Sequence, residues 1–310
     1  MSGQAPAMTP DARPTGSRAG RLTRRRTRRR KAPFLATVTA LYLVWSLAPV
    51  LIAVLFSFNS GRSRTDWQGF SLRWYVGDPL RSVWHDPALQ QALLHTLRLG
   101  LIVTLITVPL GALLALGLDR WRGRVPQGAN FVVLLSFVLP EVLLAVGLLF
   151  VATTLVAQPW NPVKLGLTGQ VIGLVTFQIS YPVVLVRARL LTIGRHYEEA
   201  AIDLGASPIG ALRRVLLPML APAIVASAVL VFADVVDNFV LVRYLSGGAS
   251  TEPASVKIYN TARAAPTPAL NALATLVLVA SLLAVSVGYA LWRRLSRGQD
   301  AGLDAFAGEG

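Results

Sequence analysis

Six long apolar stretches, near residues 34–58, 93–118, 131–156, 170–186, 218–240 and 272–292, leave this chain few folds to choose from. Crossing about 30 Å of hydrocarbon takes roughly 20 residues of helix, and these stretches approach or exceed that length, the fourth being the shortest. Inside lipid no backbone N–H or C=O can turn to water, so spans are helices or a closed barrel. Alternating ten-residue segments are absent, which argues against the barrel. The expectation is an all-α polytopic membrane protein with six transmembrane helices. A hydrophobic content of 54% and a mean hydropathy of +0.54 over 310 residues agree with it, being too apolar for a chain with a polar surface.

Positive charge then orients the spans. With the N-terminus inside, the inner segments carry 21 Lys and Arg and the outer segments 8, while Arg98 lies within the second span. That asymmetry predicts cytoplasmic termini and puts residues 195–218 on the cytoplasmic side. The net charge of +15 owes much to the run RLTRRRTRRRK at 21–31. Because this run immediately precedes a span, it reads as a topology determinant lying against anionic membrane lipid, not as a nucleic-acid site. Residues 1–32 are expected to form a disordered basic cytoplasmic tail, 33–297 the membrane domain, and 298–310 a cytoplasmic C-terminal tail. The apolar stretch after Lys31 is too long for a signal-peptide core and lacks a clear small-residue cleavage site, so it is expected to stay as an anchor. The absence of cysteine excludes disulfides and thiolate metal sites, and His85, His95 and His196 are scattered without metal-ligand spacing.

Three acids fall inside apolar stretches. Glu141 follows Pro140 in the third, and Asp234 and Asp237, three residues apart and hence on one helix face, come late in the fifth, just before Asn238. Ionisable groups are costly in lipid and usually face a bundle interior or a wet path, so these are candidate translocation-path residues. The plainer alternative is that they pair with Arg98, Arg243 or helix ends. Pro140, Pro182 and Pro222 are expected to bend their helices, either to let a bundle open or as static kinks.

Between two of the apolar stretches, residues 198–218 (EEAAIDLGASPIGALRRVLLP) look soluble and are punctuated as two short helices. Acids open the first, Gly205 supplies a left-handed stop, Ser207 can cap the second, and Pro208 fits its first position. Ala200, Ala201 and Leu204 would share one face, small enough for a partner surface to approach, with Glu199 at the rim. This is a docking piece by shape; the plainer alternative is an ordinary amphipathic hairpin between spans.

The same residues carry a resemblance. Glu199, Ala200 and Ala201, then Gly205 after three residues, then Val215, Leu216, Leu217 and Pro218 after nine more, closely resemble the EAA loop of the membrane subunits of bacterial ABC importers, with Val215 where isoleucine is usual. The resemblance implies a type I permease fold. It also implies that Glu198, Glu199, Ala200, Ala201, Asp203, Leu204, Gly205, Ala206, Val215, Leu217 and Pro218 form a loop that inserts into a cleft of an ATPase subunit. Beyond the loop the chain resembles the spermidine/putrescine-type branch, through FSFNS at 56–60, WQGFSLRWY at 67–75, residues 237–244, VKIY at 256–259 and PALNALATL at 268–276. One departure is Asp237-Asn238, where polyamine relatives commonly have two adjacent acids. The branch implies an ABC ATPase dimer, a second permease subunit and an extracytoplasmic solute-binding protein as partners, the last meeting residues 62–91 and 243–270. Trp67, Phe70, Trp74 and Tyr75 in the first of these loops are expected to be membrane-interface anchors.

The chain has no motor of its own to match such a loop. Its lysines, Lys31, Lys164 and Lys257, follow Arg30, Val163 and Val256, so none completes a P-loop, and there is no GxSxG or HExxH. The expectation is a non-enzymatic permease subunit without a cofactor, ATP being bound by the partner, that passes a small solute, a polyamine such as spermidine or putrescine, into the cell. The alternatives are a permease for another small solute, a gradient-driven secondary transporter whose buried acids carry protons or sodium, or a membrane scaffold recruited by its basic tail.

Overall fold

The computed structural model describes residues 33–63, 66–121, 124–155, 164–264 and 267–307, and every regular element among them is a helix. The basic run and the whole tail 1–32 lie outside the described residues. In chain order the helices are α1 (Pro33–Ser57), α2 (Pro87–Arg120), α3 (Arg124–Val138), α4 (Glu141–Phe150), α5 (Leu167–Gln178), α6 (Ser180–Ile193), α7 (His196–Asp203), α8 (Pro208–Ala211), α9 (Leu217–Asp237), α10 (Val240–Tyr244), α11 (Ala254–Ala264) and α12 (Ala269–Ala307). The chain divides into two compact units, residues 1–48 and 49–310. Of the first, the described part is the start of α1, whose Leu41, Tyr42 and Trp45 are exposed, as suits a lipid-facing helix.

Five helical stretches are long and apolar enough to cross a membrane: Phe34–Ser57, Pro87–Arg120, Leu167–Ile193, Pro208–Asp237 and Ala269–Leu295. The expected third span departs from this. It is divided into α3 and α4 because Pro140 has no N–H to give to the preceding turn and takes an extended ψ of 126°. Beyond the break runs a shorter apolar helix, Glu141–Thr154. The expected fourth span, the shortest in the sequence, is instead 27 residues long, since only Ile179 separates α5 from α6.

The second unit is organised around α2 and α9. Asp86 caps α2 by accepting from the N–H groups of Ala88 (2.8 Å) and Leu89 (3.3 Å), and Pro87 takes the first helical position. At 34 residues α2 is about 51 Å long, well beyond the roughly 30 Å of hydrocarbon. Two glycines let neighbours press against it. A side chain at Gly111 would meet Pro182 Cγ of α6 at 2.3 Å, and one at Gly100 would meet Val236 of α9 at 2.9 Å. Leu99, Val103, Leu174, Val231, Val235 and Leu241 fill the core midway along α2, and Ala115, Val186, Leu190, Leu216 and Leu220 fill it near Arg120.

The connection from α1 to α2 folds on a buried tryptophan. Trp74 is 0% exposed and its indole N–H donates to the Asn59 carbonyl at 2.6 Å. It packs with Val83, Leu89, Ala269 and Leu273, so it is a core residue and not the interface anchor that its aromatic character suggested. Tyr75 is likewise engaged, its hydroxyl 2.7 Å from Ser57 Oγ, whereas Phe70 is exposed.

Candidate functional site

The residues singled out by sequence gather in two places. Glu141 and, more than ninety positions further along the chain, Asp234 and Asp237 line one cleft of about 340 Å³ together with Phe177, Tyr181, Asn238, Phe239 and Val240. Pro140 makes this possible: by ending α3 it restarts the helix at Glu141, in the first turn of α4 and opposite the last turn of α9. Glu141 Oε1 accepts from Asn238 Nδ2 at 2.5 Å, and Asp234 accepts from Gln178 Nε2. Asp237 is exposed and also borders a second, mostly apolar hollow with Ser255 and Thr275.

None of the three acids has a cationic partner among the described residues. The ion pairs found there, Arg73–Asp78, Arg120–Glu198 and Arg195–Asp119, lie elsewhere. Arg243, one of the partners considered from sequence, turns to Asn260 (2.8 Å) and lies over the rings of Phe239 and Tyr259. Asp234 and Asp237 sit at the C-terminal end of α9, where the helix dipole is itself negative and disfavours anions. Such a place gains from any cation that enters, and the aromatic residues Phe177, Tyr181 and Phe239 line it beside the carboxylates. The amides that steady the cleft, Gln178 and Asn238, are not found by sequence reasoning that looks for charge alone. Their signal is present all the same: each is a polar residue within or at the end of an apolar stretch, and both are buried.

The second place is the excursion from α6 to α9. Gly194 (φ +70°) and Gly205 (φ +91°) bracket α7, a helix with no buried residue. Ser207 Oγ accepts from the Gly210 N–H at 3.1 Å and Pro208 opens α8, so the expected helix, glycine elbow and second helix are present. Leu204 is 90% and Ile209 64% exposed, an uncovered apolar tip. Glu199, Ala200, Asp203 and Gly205 are exposed with it, while Ala201 and Ala206 are half-buried. Val215 and Leu217 belong to the root of α9, half-buried on either side of the buried Leu216, and Pro218 comes next on the exposed side. The structure thus separates an exposed tip from a packed root.

Glu198 faces inward, toward the end of α2. Arg120 donates to Glu198 Oε1 at 2.5 Å, and Arg195 donates to the Asp119 carbonyl at 2.9 Å, with its carboxylate at 3.7 Å. Asp119 and Arg120 are not singled out by the sequence, because nothing local links positions 119–120 to 195–198.

An all-helical membrane chain with a polar cleft between broken helices and a solvent-exposed helical elbow is the architecture of a transport subunit. Residues 107–298 match the family described as the binding-protein-dependent transport system inner membrane component, and the chain belongs to that family of multi-pass inner-membrane proteins. It is 32% identical over 271 residues to the putrescine transport system permease protein PotI of Escherichia coli, covering 87% of this chain and 93% of that one. It is 33% identical over 264 residues to the spermidine/putrescine transport system permease protein PotC of the same species, covering 84% and 94%. In fold it is similar to a chain of a bacterial ABC transporter involved in the import of the acidic polysaccharide alginate, with a TM-score of 0.65 at 18% identity over 84% of this chain and 95% of that one. A chain of the MetNI methionine ABC transporter in an inward-facing conformation gives 0.53 at 20% identity over 66% and 93%.

Proposed function

We propose that this chain is the permease subunit of an ATP-driven importer for a polyamine such as putrescine or spermidine, with Glu141, Asp234 and Asp237 as the cation-accepting stage of its path. The observation that carries the reading is that three carboxylates from two helices share one cleft and have no cation of the protein's own among the described residues. A flexible aliphatic polycation matches both features of that cleft, its ammonium groups the acids and its methylenes the aromatic lining. The names of the relatives in Escherichia coli support the same solute class.

In this reading the exposed tip at Glu199, Ala200, Asp203 and Leu204 docks into a separate ATPase dimer, since the sequence has no P-loop. A second permease subunit completes the path, an extracytoplasmic binding protein delivers the solute, and both termini are cytoplasmic. Nucleotide binding shifts the bundle between two arrangements by contacting the elbow differently in each.

The test is putrescine uptake by the complete transporter in proteoliposomes. Uptake should require ATP and the ATPase subunits. Asp237→Asn should lower it by about tenfold or more, the worth of a charged hydrogen bond, and Glu141→Gln should do likewise while leaving an oxygen for Asn238 to bond. Unchanged uptake of every cationic solute in both variants would remove the acid cleft from the path.

A further inference from the structure

Resting on the importer reading above, we propose that the crossed charges between α2 and α7 are a joint through which the elbow moves the acid cleft by way of α2, with Asp119 and Arg120 as positioning residues for transport. The elbow helix α7 meets the long helices in two ways, by packing on α8 and residues 212–216, which run on without a break into α9, and by polar contacts to the end of α2. It buries no residue and glycines at positive φ stand before and after it, so on that packing alone it is free to rock. To carry force across to α2 as well, side chains must pass it on.

Two contacts do so, and they cross. Arg120 of α2 reaches Glu198 of α7 at 2.5 Å, and Arg195 at the start of α7 reaches back to α2, to the backbone carbonyl of Asp119 at 2.9 Å and to its carboxylate at 3.7 Å. One contact would leave a swivel, whereas two fix an orientation. Each of Arg120 and Glu198 also suits its own helix end, a cation in the last turn of α2 and an anion in the first turn of α7. From there α2 runs as one helix to Gly100, where Val236 and Phe232 of α9 lie against it, in the same turns that carry Asp234 and Asp237. A tilt of α2 at Arg120 therefore reaches the carboxylates through direct packing. The pairs are partly exposed and add little to folding stability, so their work is directional and breaking them leaves an inserted, folded chain.

The experiment is a charge swap in the complete transporter, with putrescine as probe. Arg120→Glu alone and Glu198→Arg alone should each lower uptake per ATP hydrolysed by about tenfold while the ATPase subunits still co-purify, and the double swap should recover to within about twofold of wild type. Arg120→Lys, which keeps the charge, should transport normally. The joint is overturned if either single reversal transports like wild type, if the double swap is no better than the worse single, or if the single reversals shed the ATPase. Wild-type uptake without ATP would instead overturn the importer reading, so the two failures appear in different samples.

Discussion

Asn238 occupies the position where a second adjacent acid would double the charge beside Asp237, and its neighbours explain what an amide does there. It is buried, gives its N–H₂ to Glu141, and through its backbone carbonyl accepts from Ser255 Oγ at 2.7 Å. A carboxylate in that spot would face Glu141 as a like charge; the amide steadies Glu141 and leaves Asp237 as the acid turned to open space. Asp78 is a residue whose charge serves the fold instead. The Leu80 N–H donates to its carboxylate at 3.1 Å, burial opposes this in part, and Arg73 (2.9 Å) and the Arg81 N–H (3.0 Å) add to it, so the carboxyl is held below its usual 3.8. A depressed value in the folded state means that its stabilisation is fully present above pH 3.8 and is lost as pH falls through the lower folded value. Protection of the segment around Trp74 against hydrogen exchange, measured relative to the intrinsic rate, should therefore fall on acidification below that point, and Asp78→Asn should flatten that dependence while lowering protection at neutral pH.

At the scale of elements, hinges and breaks decide what can move. Gly205 has φ +91° and no atom within 4 Å of where a Cβ would stand, so a side chain there meets open space and only the backbone resists. Holding a β-branched residue at positive φ costs about 1–3 kcal/mol, which α7 would relieve by opening the elbow. Gly205→Val should leave the protein inserted yet depress ATP-driven uptake, whereas Gly205→Asn, which tolerates the left-handed region, should retain most of it. Equal uptake in the two variants would deny the elbow its dependence on backbone shape. The same reasoning explains why the prolines differ. Pro140 ends one helix and starts another, Pro222 is carried inside α9, and Pro182 falls in the first turn of α6, where its ring is pressed against Gly111.

For the whole molecule, orientation is the property on which both proposals lean. The chain has no cysteine, so a single introduced thiol reports its own side of the membrane without background. Leu204→Cys, at a position 90% exposed, should react with an impermeant maleimide only from the cytoplasmic side, and Trp84→Cys, at a position 68% exposed between α1 and α2, only from outside. Labelling of Leu204→Cys from outside would place the elbow beyond the reach of any cytoplasmic ATPase.

The sequence by itself determined the solvent of this protein, its helical class and its local punctuation. Lipid forbids unsatisfied backbone, and Gly205, Ser207 and Pro208 act through their own torsions and caps, so such features need no distant partner to be read. It also exposed the three acids, because a carboxylate among twenty apolar residues is conspicuous wherever the helix ends up. Only the tertiary structure decided that Glu141 stands with Asp234 and Asp237, that Trp74 is core, that the third apolar stretch is two helices, and that Glu198 turns to Arg120. Each of these depends on a contact between residues remote in the chain or on how a neighbour fills space, and no periodicity within one segment encodes which other segment it will meet.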